Sequence, residues 1–299
     1  MKNNILTMAA LAVSALVFTG CDKDDDDDPA PAENKNINVS ITGLKDLGPA
    51  AQYEGWLIVN GSAVSAGKFN VNQNGTLSQT SFSLSKSNVE SASAYVLTIE
   101  PNPDPSPNAD SRHILAGMFS GSTATLSVGA TEALGTDFTG AMGKYLLATP
   151  TTSSMSDELS GVWFIDNSTG MMQPGLNLPG LPGGWVYEGW AVVNGKAVST
   201  GRFTDENGAD QAAPYSGPMP GPAFPGEDLI DNAPAGLSFP TNLQGQEIVI
   251  TVEPNPDNSA EPFFLKPLAG MVPGGAVTMV PYALDNTAAA NNPTGTVTR

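Results

Sequence analysis

The chain has 299 residues and a formal net charge of −18, from 12 basic and 30 acidic side chains. Only 14% of residues are charged while Gly (32) and Pro (25) are plentiful, which favours many short strands and turns over long helices. The acidic balance disfavours nucleic acid and anionic lipid as partners, and a lone cysteine excludes an internal disulfide or a thiolate metal cluster.

Residues 1–20 read as a signal segment. Lys2 supplies a short positive region, and residues 5–18 are mostly apolar but shorter than the roughly 20 residues a bilayer span needs. Phe18-Thr19-Gly20-Cys21 then resembles a bacterial lipobox, at which the signal is cleaved and Cys21 is acylated. The bland alternative is an ordinary signal peptide with an incidental cysteine. Acyl chains on Cys21 would hold the protein to a membrane, each buried methylene contributing about 0.8 kcal/mol. Lys23, Asp24 and Asp25 follow, and Cys-x-Lys-Asp-Asp resembles the export signal of Bacteroidetes-type surface lipoproteins. The same acidic run also suits a solvated, self-repelling spacer, and residues 21–35 as a whole form an acidic, Pro-containing tether. The expected location is the outer membrane at the cell surface, with a periplasmic orientation as the alternative.

Beyond the tether the chain repeats itself. Residues 53–69 (YEGWLIVNGSAVSAGKF) return as 187–203 (YEGWAVVNGKAVSTGRF), 98–104 (TIEPNPD) as 251–257 (TVEPNPD), and Ala116-Gly117-Met118 as Ala269-Gly270-Met271. Two copies of one folding unit are implied. They are expected at 36–152 and 156–299, with the small polar cluster 149–154 as the seam. In chain order the strand candidates are 37–42, 53–59, 63–69 and 95–100, then 162–165, 187–193, 197–203 and 248–253. Asn60-Gly61 and Asn194-Gly195 predict type I′ hairpins, because both central residues of that turn need positive φ. Pro101 and Pro254 have no N–H for a ladder and should end their strands. Residues 171–184 and 214–225 are too rich in breakers for strands and are expected as loops. The expected class is all-β, with two tandem β-sandwich-like (Ig-like) domains.

The motif order resembles the extracytoplasmic C-terminal domain of anti-sigma-K factors. The matching residues are Tyr53, Trp56, Val64, Ser65, Gly67, Phe69, Thr98, Glu100 and Pro101, and in the second copy Tyr187, Trp190, Val198, Ser199, Gly201, Phe203, Thr251, Glu253 and Pro254. The resemblance implies a domain type and not sigma-factor binding: a lipid-anchored chain outside the inner membrane has no access to a cytoplasmic sigma factor.

Catalytic machinery is sparse. His113 is the only histidine and Lys266 stands in its register in the second copy, so no function shared by the copies rests on it. Ser–His or Cys–His chemistry needs a base beside the nucleophile. No phosphate-binding or dinucleotide motif and no zinc spacing is present. The recurrent acids Glu54, Glu100, Glu188 and Glu253 invite a glycosidase-like reading, against the plainer one of carboxylates fixing strand ends. The shared loops place Glu100, Asn102 and Asp104, and Glu253, Asn255 and Asp257, at alternating positions that Ca²⁺ could use, although Pro-Asn-Pro-Asp is also an ordinary turn. Of the tryptophans, Trp56 and Trp190 fit a core and Trp185 an exposed site. No cofactor is required. The leading expectation is a non-enzymatic binding or sensing module with an unidentified protein or glycan partner; the alternatives are a structural or adhesive spacer and a carboxylate-dependent glycan enzyme.

Overall fold

The computed structural model describes residues 33–257 and 259–299. The signal segment and the site residues Cys21, Lys23, Asp24 and Asp25 lie outside them. The chain is nearly all β, as expected. The first repeat supplies β1 (Asn34–Thr42), β2 (Ala51–Val59), β3 (Ser62–Phe69), β4 (Ser81–Ser85), the short α1 (Lys86–Ser91), β5 (Ala92–Pro101), β6 (His113–Ser120), β7 (Thr123–Ser127) and β8 (Met142–Leu147). The second supplies β9 (Gly161–Trp163), three two-residue strands β10 (Ile165–Asp166), β11 (Gln173–Pro174) and β12 (Leu176–Asn177), then β13 (Trp185–Val193), β14 (Lys196–Phe203), β15 (Gly226–Asp228), β16 (Glu247–Pro254), β17 (Leu268–Met271), β18 (Tyr282–Asn286), α2 (Ala288–Asn291) and β19 (Thr294–Thr298). No helix among the described residues is long and apolar enough to cross a membrane.

Local chemistry explains the hairpins. Asn60 and Gly61 hold φ of 51° and 80°, and Asn194 and Gly195 hold 50° and 78°, the double positive φ of the type I′ turn. Each hairpin carries a bulge at the same place, after Gly55 and after Gly189. Opposite it sit Gly67 and Gly201 at φ of 114° and 111°, a region closed to residues with a Cβ. β5 and β16 end at Pro101 and Pro254.

Two large antiparallel sheets result, beside a small one of β10 and β11. One runs β3-β2-β5-β6-β7-β19-β1-β4, the other β14-β13-β16-β17-β18-β8-β9-β15, with β12 also on β8. Position by position the orders match, and β9 takes the place of β1. Each sheet curls towards closure. Gly67 of β3 faces the ring of Phe82 on β4, and Gly201 of β14 faces the carboxyl of Asp210, which accepts the Gly226 N–H of β15 at 2.9 Å.

The boundaries 36–152 and 156–299 do not coincide with these sheets. β8, the last strand of the first repeat, pairs with β18 and β9 in the second sheet. β19, the last strand of the second repeat, pairs with β7 and β1 in the first. Each copy thus completes the other. The buried apolar residues follow suit: one continuous cluster runs from Ile37, Leu57 and Leu97 to Tyr187, Ile250 and Leu268, and residues 33–299 form one compact unit.

Candidate functional site

On the face of each sheet turned away from that cluster, a small polar array recurs. In the first copy Glu54 lies across β2–β5 from Thr98 and across β2–β3 from Lys68. Period-two alternation brings Glu100 to the same face. Trp56 donates its indole N–H to Thr98 Oγ1 at 2.9 Å, and the Thr98 hydroxyl donates in turn to Glu100 Oε1. Glu100 Oε1 also accepts the Asp110 N–H at 2.9 Å, tying down the loop that follows β5. Ser65 donates to Glu54 Oε1 at 2.5 Å. The second copy repeats each link. Trp190 donates to Thr251 at 2.8 Å, Thr251 to Glu253 Oε1, the Phe263 N–H to the same oxygen at 2.8 Å, and Ser199 to Glu188 at 2.5 Å.

Asp104 and Asp257 complete these arrays. Each makes the same local turn, accepting the N–H two residues on: Ser106 at 2.9 Å and Ser259 at 2.8 Å. One carboxylate oxygen from each of Glu54, Glu100 and Asp104 lies within 4.8 Å of the other two, and the same holds for Glu188, Glu253 and Asp257. The expected loop set therefore changes membership. Glu100, Asp104, Glu253 and Asp257 come together, but Asn102 and Asn255 are exposed and stand apart. Asn102 donates its amide to Pro49 O at 3.2 Å, and the Asn255 N–H bonds Gly184 O. Their places are taken by Glu54 and Glu188, because the triads depend on the register between neighbouring strands and not on spacing within the loop.

The electrostatics of the two arrays differ. Lys68 Nζ lies 2.8 Å from Asp104 Oδ2 and 3.4 Å from Glu54 Oε2, which holds the Asp104 carboxyl below its ordinary range and raises Lys68 above its own. Burial raises Glu100, against the pull of the Thr98 and Asp110 hydrogen bonds. In the second copy burial raises Glu188 and pushes Glu253 up to about 8.

A second acidic group has no counterpart in the first copy. Asp228 accepts the Trp163 indole N–H at 2.7 Å and the Thr151 N–H at 2.8 Å, and Glu227 accepts from Ser216 at 2.5 Å and from the Tyr215 N–H. Burial pushes Asp210 up to about 6 and Glu227 up to about 7. These acids staple the 214–225 loop to β15. The only sequence signal for them was a Glu-Asp pair directly after a Pro-rich run, and comparing copies discards it.

His113 Nδ1 meets the Glu132 carbonyl at 2.8 Å. Trp185, expected exposed, is buried at 3% and packs on Phe263 with ring centroids 6.0 Å apart. Trp56, Trp163 and Trp190 are buried too, so no tryptophan offers a sugar-stacking platform.

Where the copies meet, a cleft of about 300 Å³ opens between Lys45, Leu47 and Arg112 of the first and Pro254, Phe263 and Phe264 of the second. Compared with protein-family models, curated proteins and solved structures, the chain gave no match.

Proposed function

We propose that this chain is a non-enzymatic, lipid-anchored binding module of the bacterial cell envelope, displayed from the outer membrane, with its ligand site in the cleft between the repeats. The carrying observation is that cleft. It is concave, it draws residues from both copies, and it pairs the close, tilted rings of Phe263 and Phe264 with the cationic Lys45, a few polar groups on an apolar wall. Junctions between folding units are a favoured place for ligands. Arg112 is locked by two hydrogen bonds to Asp110 at 2.8 and 2.7 Å and so shapes the wall. A protein or glycan segment is the expected occupant, in a fold that resembles an anti-sigma-K extracytoplasmic domain without its sigma-binding part.

The non-enzymatic reading is supported by how the recurrent carboxylates are used. Glu54 and Glu100 are engaged by Ser65, Lys68, Thr98 and the Asp110 N–H, as strand-end and loop anchors. The exchange of strands between copies weighs against a spacer made of independent repeats.

Acyl labelling that disappears in Cys21→Ser, together with protease shaving of intact cells, tests the anchor and the display; a labelled protein that survives shaving is periplasmic. Envelope glycans and proteins retained by the wild type and released by Phe264→Ala test the cleft. Equal retention by both removes it as the site.

A further inference from the structure

The two acidic triads are built alike yet neutralised differently. In the first, the Lys68 ammonium sits among the carboxylates, 2.8 Å from Asp104 and 3.4 Å from Glu54. The second has Arg202 at that register position, directly across the hairpin from Glu188. Among the described residues Arg202 makes no ion pair within 4 Å of a carboxylate there; it lines the same cavity and its charge reaches Glu188 only from a distance. Glu188 Oε2 and Glu253 Oε2 have no hydrogen-bond partner among the described residues, although Glu188 is 5% exposed and Glu253 0%; Glu54 Oε2 lacks one too, but has the Lys68 ammonium 3.4 Å away. Buried carboxylate oxygens without a partner are unfavourable enough that native folds rarely keep them unless something else binds there.

The geometry says what that is. The three second-copy oxygens lie within 4.8 Å of one another, the separation available to ligands about 2.3–2.6 Å from a common cation. All three donors are carboxylates, with no His or Cys, which selects a hard ion over Zn²⁺ or Cu²⁺. Glu188 and Asp257 also line a cavity of about 530 Å³, room for the waters that bring coordination to six to eight. The first copy supplies independent support: there the same carboxylate frame already holds a positive charge, its own lysine.

We propose that Glu188, Glu253 and Asp257 form a Ca²⁺ site, and that the Glu54–Glu100–Asp104 triad is its lysine-filled counterpart, which takes no metal. Asp257 also lines the cleft between the repeats, so the ion would sit at its border, but the site needs no cleft ligand to form.

The test is calcium titration calorimetry on the chelator-treated full mature chain, with Tb³⁺ luminescence excited through Trp190, which is linked to Glu253 through Thr251. One Ca²⁺ per chain is expected. Asp257→Asn, at a partly exposed position where the metal-free melting curve should stay in place, should weaken binding at least tenfold, as should Glu188→Gln. Glu54→Gln should leave it unchanged, and Lys68→Met should raise the stoichiometry towards two. No binding, or binding unchanged in both Asp257→Asn and Glu188→Gln, overturns the site. A stoichiometry that stays at one in Lys68→Met overturns the lysine-filled counterpart.

Discussion

Thr98 and Thr251 each stand at the centre of a relay, taking a hydrogen bond from a buried indole and giving one to a buried carboxylate. A hydroxyl does both because it donates once and accepts twice. Valine has the same shape and does neither. Thr251→Val therefore strands the Trp190 N–H and strips one donor from Glu253. A loss of about 1–3 kcal/mol is expected for a buried polar group left unsatisfied, read from urea unfolding followed by tryptophan fluorescence. An unchanged midpoint would mean that water replaces the hydroxyl. Asp210 and Glu227 add a pH dependence. Burial raises both, to about 6 and about 7, so the folded chain keeps protons that the unfolded chain releases near pH 4. The unfolded state binds fewer protons across that window, so stability falls as pH rises from about 4 to 7. Glu253, raised the same way, adds to the fall. Carboxyls held low by partners, such as Asp166 at about 2 beside Lys144, lose their contribution only in more acidic solution. The melting temperature should be higher at pH 5 than at pH 8. Glu227→Gln should flatten the slope and stabilise the protein at pH 8; a profile as steep as the wild type's would locate the effect elsewhere.

At the scale of elements, the last strand is held at its tip by one side chain. Arg299 donates to the carbonyls of Val89 at 2.8 Å, Ala92 at 2.6 Å and Gly121 at 3.1 Å, and its guanidinium lies 4.3 Å from the Phe119 ring centroid. These contacts are all to the first repeat, with hydrogen-bond partners 178 to 210 residues away along the chain. Arg299→Ala should cost about 1–3 kcal/mol, from charge-assisted hydrogen bonds and a cation–π contact, measured by chemical denaturation. Removing β19 entirely should unfold the first sheet, since β7 and β1 would both lose their partner. Such elements differ in how far a sequence discloses them. The hairpins at Asn60-Gly61 and Asn194-Gly195 and the strand stops at Pro101 and Pro254 were legible, because each is dictated by the backbone chemistry of one or two residues. The strand at 162–165 was found by its place in the repeat, though it breaks at Phe164. The partners of β8 and β19 were not legible: both are short β-rich runs that fit either sheet, and pairing is a long-range choice. The acidic triads were half legible for the same reason. Recurrence pointed to Glu54 and Glu100 and loop spacing to Glu100 and Asp104, but only cross-strand register joins the three and excludes Asn102.

The exchange of final strands governs the molecule as a whole. β19 runs antiparallel to β7 with Thr294 opposite Ser127, so the end of β7 lies beside the start of β19, as in a hairpin. β8 and β18 have the same relation, with Gly143 opposite Leu284. The segments that cross between sheets, 128–141 and 287–293, touch where Asn292 donates to Asp137 O at 2.7 Å, and Asn286 at the end of β18 donates to Phe138 O and Ala141 O at 2.8 and 2.9 Å. The arrangement is that of two closed units whose last hairpins have been cut at one point and rejoined crosswise. Two consequences separate it from tandem domains. Because the core is continuous and each sheet needs the other's strand, melting should be one calorimetric transition, with equal calorimetric and van't Hoff enthalpies, whereas two resolved transitions would mean independent units. Residues 33–152 alone should fail to fold, because β1 and β7 lack the strand between them while β8 leaves the buried Tyr145, Leu146 and Leu147 uncovered. A chain joining 33–127 through Asn-Gly to 294–299 should fold, since it restores the hairpin with a turn suited to the twist of two paired strands. Circular dichroism and amide exchange on these two fragments decide the matter, and a folded 33–152 would show that β8 can take the place of β19.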